Sequence, residues 1–444
     1  MKYNLMRHVA LHTLGCKLNF AETSTIGRQF VENGFHTVPF SEEAEVYVLN
    51  TCTVSHKADR ECRQIIRSVL RKRPGAFVIV AGCYAQLRPE EIASIDGVDV
   101  VLGTKDKYKI FELVKNFGKG EYPKIFVSEM NGDDDFGPAF SGDTDNRTRA
   151  FLKVQDGCDY KCSFCTIPLA RGQSRSQSIE LSVSQAQSLA AKGFKEIVLS
   201  GVNVGDYGGK IDTNLFSLLK ELVKVKGIER IRMGSIESNL LSHEMIDFIL
   251  DNEKLCNHFH VPLQSGANEI LQQMRRRYTV HGYQKLIEYI KTKDPSAGIG
   301  ADVIVGFPGE TDNHFEETYS LLLDLPVSYL HVFTYSERPN TPAVISANVV
   351  DPRIRHIRNE KLRLLGSKKK HHFYAQFIGK EFPVLYEGTV KNAHVSGWTS
   401  NYIRVSVPAN PQYENQIIKT RIDTCLDDYC QGMIIDNNTS ERIS

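Results

Sequence analysis

Short, continuous apolar runs alternate with amphipathic stretches along the first 130 residues. HVALHTLG from residue 8, VYVLN from 46 and FVIVAG from 77 lack the polar alternation of a half-exposed strand, which predicts strands buried in a parallel sheet. VDVVLG from residue 98 is a fourth candidate. The segment AETSTIGRQFVENG has helical character and ends on Gly34, a residue suited to closing a helix. Residues 1–130 therefore read as an α/β unit with a parallel sheet.

The pattern breaks at MNGDDDFGPAFSGDTDN, which is acidic, poor in apolar residues and aperiodic, and which predicts a linker over 131–146. Six strand-like runs follow, RAFLKVQDG, EIVLSG, RIRMGSIES, HFHVPLQSG, GADVIVGFPG and SYLHVFTYS, with helical segments between them. Such a series predicts a partial (β/α)6 barrel over 147–370. From 371 to 437 apolar and polar residues alternate, with Gly388 and Gly397 as punctuation, and a small OB-like β-barrel is expected.

Composition adds bounds to this three-part reading. A chain of 444 residues with 41% hydrophobic and 24% charged residues is that of a soluble globular protein. No run approaches a bilayer-spanning length, so a cytoplasmic protein without membrane contact is expected. A net charge of +1 requires any nucleic acid to be met by a local basic patch. The ten cysteines, in a reducing compartment, are metal ligands or buried side chains rather than disulfide partners.

Three of them, Cys158, Cys162 and Cys165, crowd into GCDYKCSFCTIP. Zinc normally takes four protein ligands and no histidine is near, while a c-type haem motif needs His where Thr166 stands. Three thiolates suit a 4Fe-4S cluster with one iron left open. Cys16, Cys52 and Cys83 are far apart in sequence, yet each closely follows an apolar run. In a parallel sheet the C-terminal strand ends share one edge, where three thiols would converge. Cysteine is also common in buried strand ends for packing alone.

The spacing Cys-x3-Cys-x-Phe164-Cys resembles the signature of the radical S-adenosylmethionine enzymes. GCKLN at 15–19, NTCTV at 50–54 and GCYAQ at 82–86 resemble the amino-terminal motifs of the methylthiotransferases. HVPLQSG, MRRRYT and GFPGET resemble that family's barrel motifs, and the terminal β region is similar to its RNA-binding TRAM domain. The resemblance implies two 4Fe-4S clusters, one held by Cys16, Cys52 and Cys83 and one by Cys158, Cys162 and Cys165. It also implies S-adenosylmethionine as methyl donor and as radical source. A deoxyadenosyl radical would remove hydrogen from C2 of a modified adenine, and a methylthio group would be joined there. The implied partners are the anticodon stem-loop of a tRNA and an electron donor whose identity the sequence does not carry.

Within the family, GCKLNFAET, NTCTVSHKADRECRQIIR and RGQSRSQ are most similar to the bacterial branch acting on N6-threonylcarbamoyladenosine; Gln177 departs from the arginine or proline expected there. Methylthiolation of isopentenyladenosine or of a ribosomal protein side chain are the alternatives. A non-catalytic iron-sulfur protein that binds RNA or carries electrons is the alternative class.

For the cofactor, Phe164 belongs to the cysteine motif, and Ser200, Gly201, Glu237 and Gln264 fall at strand ends where the resemblance implies contacts to S-adenosylmethionine. Asp302 is a further candidate, or else a structural carboxylate paired with a backbone amide. For RNA, Arg171 and Arg175 follow the cysteine loop, facing a phosphate or the substrate carboxylate. RIRHIRNEKLRLLGSKKKHH, with Arg358, Lys368, Lys369 and Lys370, is a second basic candidate just ahead of the β domain.

Overall fold

Six parallel strands make the first sheet of the computed structural model, which describes residues 7–130, 136–142 and 148–435. They are β1 (Arg7–Thr13), β2 (Phe35–Val38), β3 (Val46–Thr51), β4 (Phe77–Gly82), β5 (Val100–Leu102) and β6 (Lys124–Phe126), in the order β2-β1-β3-β4-β5-β6. The apolar runs supply the centre, where every residue of β3 and β4 is buried. The strands that the pattern did not announce, β2 and β6, are the two edges; partly exposed there, they need no continuous apolar run. Helix α1 (Lys17–Glu32) returns from β1 and closes at Gly34, whose φ of +82° an L side chain rarely adopts. Ser55 caps α2 (His56–Lys72) by accepting the Ala58 N–H.

The second series contains β7 (Arg149–Lys153), a short antiparallel pair β8 (Gln155–Asp156) and β9 (Arg175–Ser176), then β10 (Glu196–Ser200), β11 (Arg230–Arg232), β12 (His258–His260), β13 (Gly298–Val305) and β14 (Tyr329–Thr334). The arcs β11-β10-β7 and β12-β13-β14 join through isolated pairings of Ile231 with Leu255 and Ser235 with His260, so the six main strands form one open arc. Ile197, Leu199, Ile231, Phe259, Ala301 and Val303 pack outward against helical residues in a single apolar core. Strand alternation then turns Lys153, Glu196, Arg232, His258, His260 and Asp302 toward the lumen.

The terminal domain is a closed five-stranded barrel of β15 (Glu381–Lys391), β16 (His394–Trp398), β17 (Arg404–Pro408), β18 (Ile417–Cys425) and β19 (Cys430–Ile434). Its carbonyls satisfy two buried arginines of the (β/α) arc. Arg230 donates to Trp398 O and Pro383 O at 2.8 and 2.6 Å, and Arg232 to Ser400 O and Thr399 O at 2.8 and 3.0 Å. The helix Pro352–Ala375 runs through the junction expected at 370 and delivers the chain to this barrel without a break.

Part of the expected acidic linker, 131–135 and 143–146, lies outside the described residues. The part between them is not a free linker. Phe140 pairs antiparallel with Leu152, Ser141 N–H donates to Phe151 O at 2.9 Å and Lys153 N–H to Ala139 O at 3.0 Å. An edge strand offers unpaired backbone groups, and residues 139–141 take them up on β7.

Candidate active site

The three dispersed cysteines arrive together because β1, β3 and β4 are adjacent and parallel. Cys16 follows β1 and caps α1, Cys52 follows β3, and Cys83 opens the short helix α3 (Cys83–Leu87) after β4. Backbone and amide contacts hold this edge in register. Leu14 N–H donates to Asn50 O at 2.9 Å, and Asn19 Nδ2 donates to Leu14 O and Thr51 O at 2.7 and 3.1 Å. Gly15 is required beside Cys16, since its φ is +98° and a Cβ there would lie 2.6 Å from Cys52 Cβ. Burial, with Cys83 and Cys16 adding to it, pushes the Cys52 thiol up to about 12. Cys62 also lies close and is buried, but its thiol is spent on the Cys52 carbonyl at 3.5 Å.

The second triad is built by one loop between β8 and β9. Backbone N–H groups of Tyr160 and Ile167 donate to Cys158 Sγ and Cys165 Sγ at 3.4 and 3.5 Å. Burial and the neighbouring thiols push Cys158 and Cys165 up to about 11 and 12. Cys162 Sγ accepts from Arg276 Nη1 at 3.1 Å, and the same guanidinium pairs with Glu237. Arg276 was not singled out from sequence; the run MRRRYT that contains it was the available signal, but three consecutive arginines do not say which one turns inward. Phe164 stands edge-on to Phe307, with ring centroids 6.4 Å apart.

Of the expected cofactor positions, Glu237 reaches this loop through Arg276, and Gly201 through Gln155, whose Nε2 donates to Gly157 O at 2.8 Å. Ser200 ends β10 and is buried, and Gly201 packs so tightly on Gln155 that a Cβ would meet its Oε1 at 2.9 Å. That same Oε1 accepts the Asn203 N–H at 2.9 Å. Among the described residues, both side-chain polar atoms of Asn203, and Oε1 of Gln264, are buried without a hydrogen-bond partner. Gln264 also holds a left-handed φ of +66°. An unsatisfied buried amide such as that of Asn203, tied through Gln155 to the cysteine loop, fits a polar ligand that completes it. Asp302 departs from the structural reading, since its partners are imidazoles and not a backbone amide: His260 Nε2 and His331 Nδ1 lie 2.8 and 3.1 Å from Oδ1. These two contacts outweigh burial and hold the carboxyl well below its usual range. The three groups are close enough for a cation, with ligand atoms within 4.8 Å of one another, but as they stand they satisfy each other.

Between the triads runs a buried charge network. Arg171 donates to Glu22 Oε1 and Oε2 at 2.9 and 3.0 Å, to Asp156 at 2.9 Å and to Asn19 at 2.6 Å. Lys107 and Lys153 complete it on Glu22, and Lys153 also reaches Asp156 at 2.7 Å. Helix α3 packs against the helix Ile167–Arg171, and Thr104 Oγ1 donates to Ala170 O at 2.7 Å. The network thus ties the Cys83 side of the sheet to the Cys158 loop.

This corrects the expected RNA contacts. Arg171, 1% exposed, is an interdomain strut rather than a phosphate or substrate ligand. Arg175 is turned back onto Arg171 O and Gln173 O at 2.9 and 3.1 Å. Arg358 is buried against Glu310 and Asp312, because its helical position faces the barrel. Lys369 donates to Leu323 O and Leu325 O, and Lys370 pairs with Asp428 at 2.9 Å, whereas Lys368 is exposed. Nearby, a cavity of about 890 Å³ is lined by Phe333, Arg363, Lys370, Tyr374, Trp398 and Tyr402.

An open six-stranded arc with a three-cysteine loop after its first strand defines a radical S-adenosylmethionine enzyme. The family model described as the radical SAM superfamily matches residues 152–322, and the one described as uncharacterized protein family UPF0004 matches 8–103. The chain is 38% identical over 441 residues, 97% of each chain, to the threonylcarbamoyladenosine tRNA methylthiotransferase MtaB of Bacillus subtilis. It is 40% identical over 377 residues, 85% of this chain and 92% of the relative, to the protein of that name from Aquifex aeolicus. A tRNA-2-methylthio-N(6)-dimethylallyladenosine synthase of Syntrophus aciditrophicus is 32% identical over 406 residues, 89% and 87% of the two chains. Among solved structures, the radical S-adenosylmethionine methyltransferase TsrM from Kitasatospora setae, determined with a SAM analogue, superposes with a TM-score of 0.55 at 15% identity over 76% of this chain and 75% of that one, a likeness of fold. The chain belongs to the methylthiotransferase family of radical S-adenosylmethionine enzymes.

Proposed function

We propose that this protein attaches a methylthio group to C2 of N6-threonylcarbamoyladenosine beside the anticodon of tRNA. The observation that carries the reading is the buried Glu22–Arg171–Asp156 network, which locks the two cysteine triads into one structure. Relatives named for this activity support the substrate, at 38% and 40% identity. Cys16, Cys52 and Cys83 would hold one 4Fe-4S cluster and Cys158, Cys162 and Cys165 the other. Ser200, Gly201, Gln264 and Asn203 would hold S-adenosylmethionine. Bound there, these groups supply an electron, hydrogen abstraction and sulfur.

The chain's own side chains position this chemistry. Arg276 bridges Cys162 and Glu237, fixing the cysteine loop relative to the end of β11. Phe164, packed on Phe307, closes the apolar side of that loop. Lys368, with the cations and aromatic rings lining the 890 Å³ cavity, suits a strand of RNA whose bases stack and whose phosphates are neutralised. No helix among the described residues is long and apolar enough to cross a membrane, in keeping with a tRNA-modifying role in the cytoplasm.

Mass spectrometry of tRNA nucleosides from a strain lacking the gene, before and after complementation, tests the reading. Return of 2-methylthio-N6-threonylcarbamoyladenosine is expected. Return of the isopentenyl counterpart would place the protein in the neighbouring branch, for which the 32%-identical synthase is the precedent.

A further inference from the structure

Three neighbouring strands of the (β/α) arc bring two imidazoles and a carboxylate to one point. His260 ends β12, Asp302 lies within β13 and His331 within β14, the strand at the open edge of the arc. The parallel register sets His260 opposite Gly300 and Asp302 opposite His331. Side chains alternate faces along a strand, so Asp302 lies on the face of Gly300 and the three groups meet on the lumen side. His260 Nε2 and His331 Nδ1 converge on the same carboxylate oxygen, Asp302 Oδ1, at 2.8 and 3.1 Å, and the ligand atoms of all three lie within 4.8 Å of one another.

The surroundings suit an ion at that point. On the far side of the His260 ring, Nδ1 lies 2.9 Å from Ser235 Oγ, on the residue that pairs with His260 between the two arcs. A hydroxyl that accepts the Nδ1 proton leaves Nε2 with its lone pair, and outer partners of this kind fix the imidazoles of metal sites. The side chain of His331 is 52% exposed and lines the cavity of about 890 Å³, which gives an ion and further oxygen ligands a way in. Neutral imidazoles need only carry their protons on Nδ1 of His260 and Nε2 of His331, so binding requires no net loss of a proton. With metal–ligand bonds of about 2.1 Å, separations of 2.8 and 3.1 Å correspond to angles of about 85° and 95°, a corner of an octahedron, whereas a tetrahedral ion asks for about 3.4 Å. We propose that His260, Asp302 and His331 form a divalent-cation site, separate from both cysteine triads, that takes a six-coordinate first-row ion such as Mn2+ or Fe2+ and leaves its remaining positions open to oxygen ligands from the cavity. An ion there links three strands at the edge of the arc, where β14 has a strand on one side only among the described residues. The site uses no cysteine and does not depend on which adenine derivative is the substrate.

The test titrates Mn2+ into anaerobic holoenzyme with both clusters reconstituted and in their diamagnetic oxidised state. Mn2+ stands lowest among the first-row divalent ions in affinity and has little preference for thiolate, so it leaves the cluster cysteines alone. Loss of the free-ion electron paramagnetic resonance signal gives the affinity, and electron spin echo modulation from 14N identifies imidazole bound to the ion. Wild-type protein is expected to bind about one equivalent with 14N coupling. His331→Ala, an exposed position on an edge strand, and Asp302→Asn are expected to lose that binding, each checked for unchanged iron content. Ser235→Ala keeps all three ligands and should weaken binding about 10- to 100-fold. Wild-type holoenzyme that binds no Mn2+, or binds it without 14N coupling, overturns the site whether or not any variant folds. Binding of equal affinity in His331→Ala and Asp302→Asn overturns it as well, by placing the ion elsewhere.

Discussion

Cys158, Cys162 and Cys165 lie on one short loop, whereas Cys16, Cys52 and Cys83 come from the ends of three strands. The loop triad depends on local backbone geometry: Gly157 has φ +69°, and a Cβ there would come within 1.9 Å of Gln173 O. The dispersed triad depends on the register of β1, β3 and β4 and on the packing that keeps those strand ends level. A site made by one loop tolerates loosening elsewhere, while a site made by a sheet is as stable as the sheet. The charge network joins the two, with Glu22 and Lys107 on the sheet side and Lys153, Asp156 and Arg171 on the loop side.

The sharpest way to separate the triads is to delete one thiol from each. Cys158→Ala is expected to abolish cleavage of S-adenosylmethionine, and Cys16→Ala to spare cleavage while abolishing methylthio product; deoxyadenosine and modified nucleoside are quantified together. Equal loss of cleavage in both would mean that the triads do not act separately.

Cutting the tie is the next largest effect. Arg171→Met leaves Glu22 and Asp156 buried with one cation fewer and should cost about 3–5 kcal/mol of stability, read by urea unfolding, because an uncompensated buried charge remains. Iron bound by the dispersed triad should be lost at lower urea than iron bound by the loop triad.

Arg276→Ala removes the cation on Cys162 and Glu237 and should slow cleavage of S-adenosylmethionine about 10- to 100-fold with little change in overall stability. A drop confined to RNA binding would contradict that role.

Acid probes the tie without mutation. Burial alone would raise the Glu22 and Asp156 carboxyls, but Arg171, Lys107 and Lys153 around Glu22, and Lys153, Arg171 and Arg175 around Asp156, outweigh it and hold both below their usual range. Their contribution to stability is therefore fully present above about pH 4.5 and is lost as pH falls further, through the depressed folded values. Thermal melts should stay level on this account from pH 7 to about pH 5 and then drop, and the drop should shrink in Glu22→Gln.

The smallest effect is on the surface. Lys368→Ala should weaken tRNA binding by a few fold and lower its salt dependence by about one counterion. Arg358→Ala should instead lower stability, since Arg358 is committed to Glu310 and Asp312.

The architecture and the six candidate ligand cysteines were legible in the amino-acid sequence. Continuous apolar runs mark β1, β3 and β4, tight spacing marks the loop triad, and alternation marks the terminal barrel. For the dispersed triad, a place just past buried parallel strands left convergence and simple packing both open, and the resemblance of GCKLN, NTCTV and GCYAQ to methylthiotransferase motifs decided between them. The edge strands β2 and β6 and the strap at 139–141 lacked such a signal, because an edge forms wherever backbone groups are left unpaired and asks little of the side chains.

Only the tertiary structure decided which charges are free. From sequence, Arg171, Arg358 and Lys368 are equivalent cations near chemically interesting residues. In the fold, Arg171 meets Glu22, distant in the chain, and Arg358 meets Glu310, while Lys368 stays exposed. The physical reason is that an ion pair is a property of two positions brought together across the chain, and burial turns that pairing from a surface detail into a structural bond.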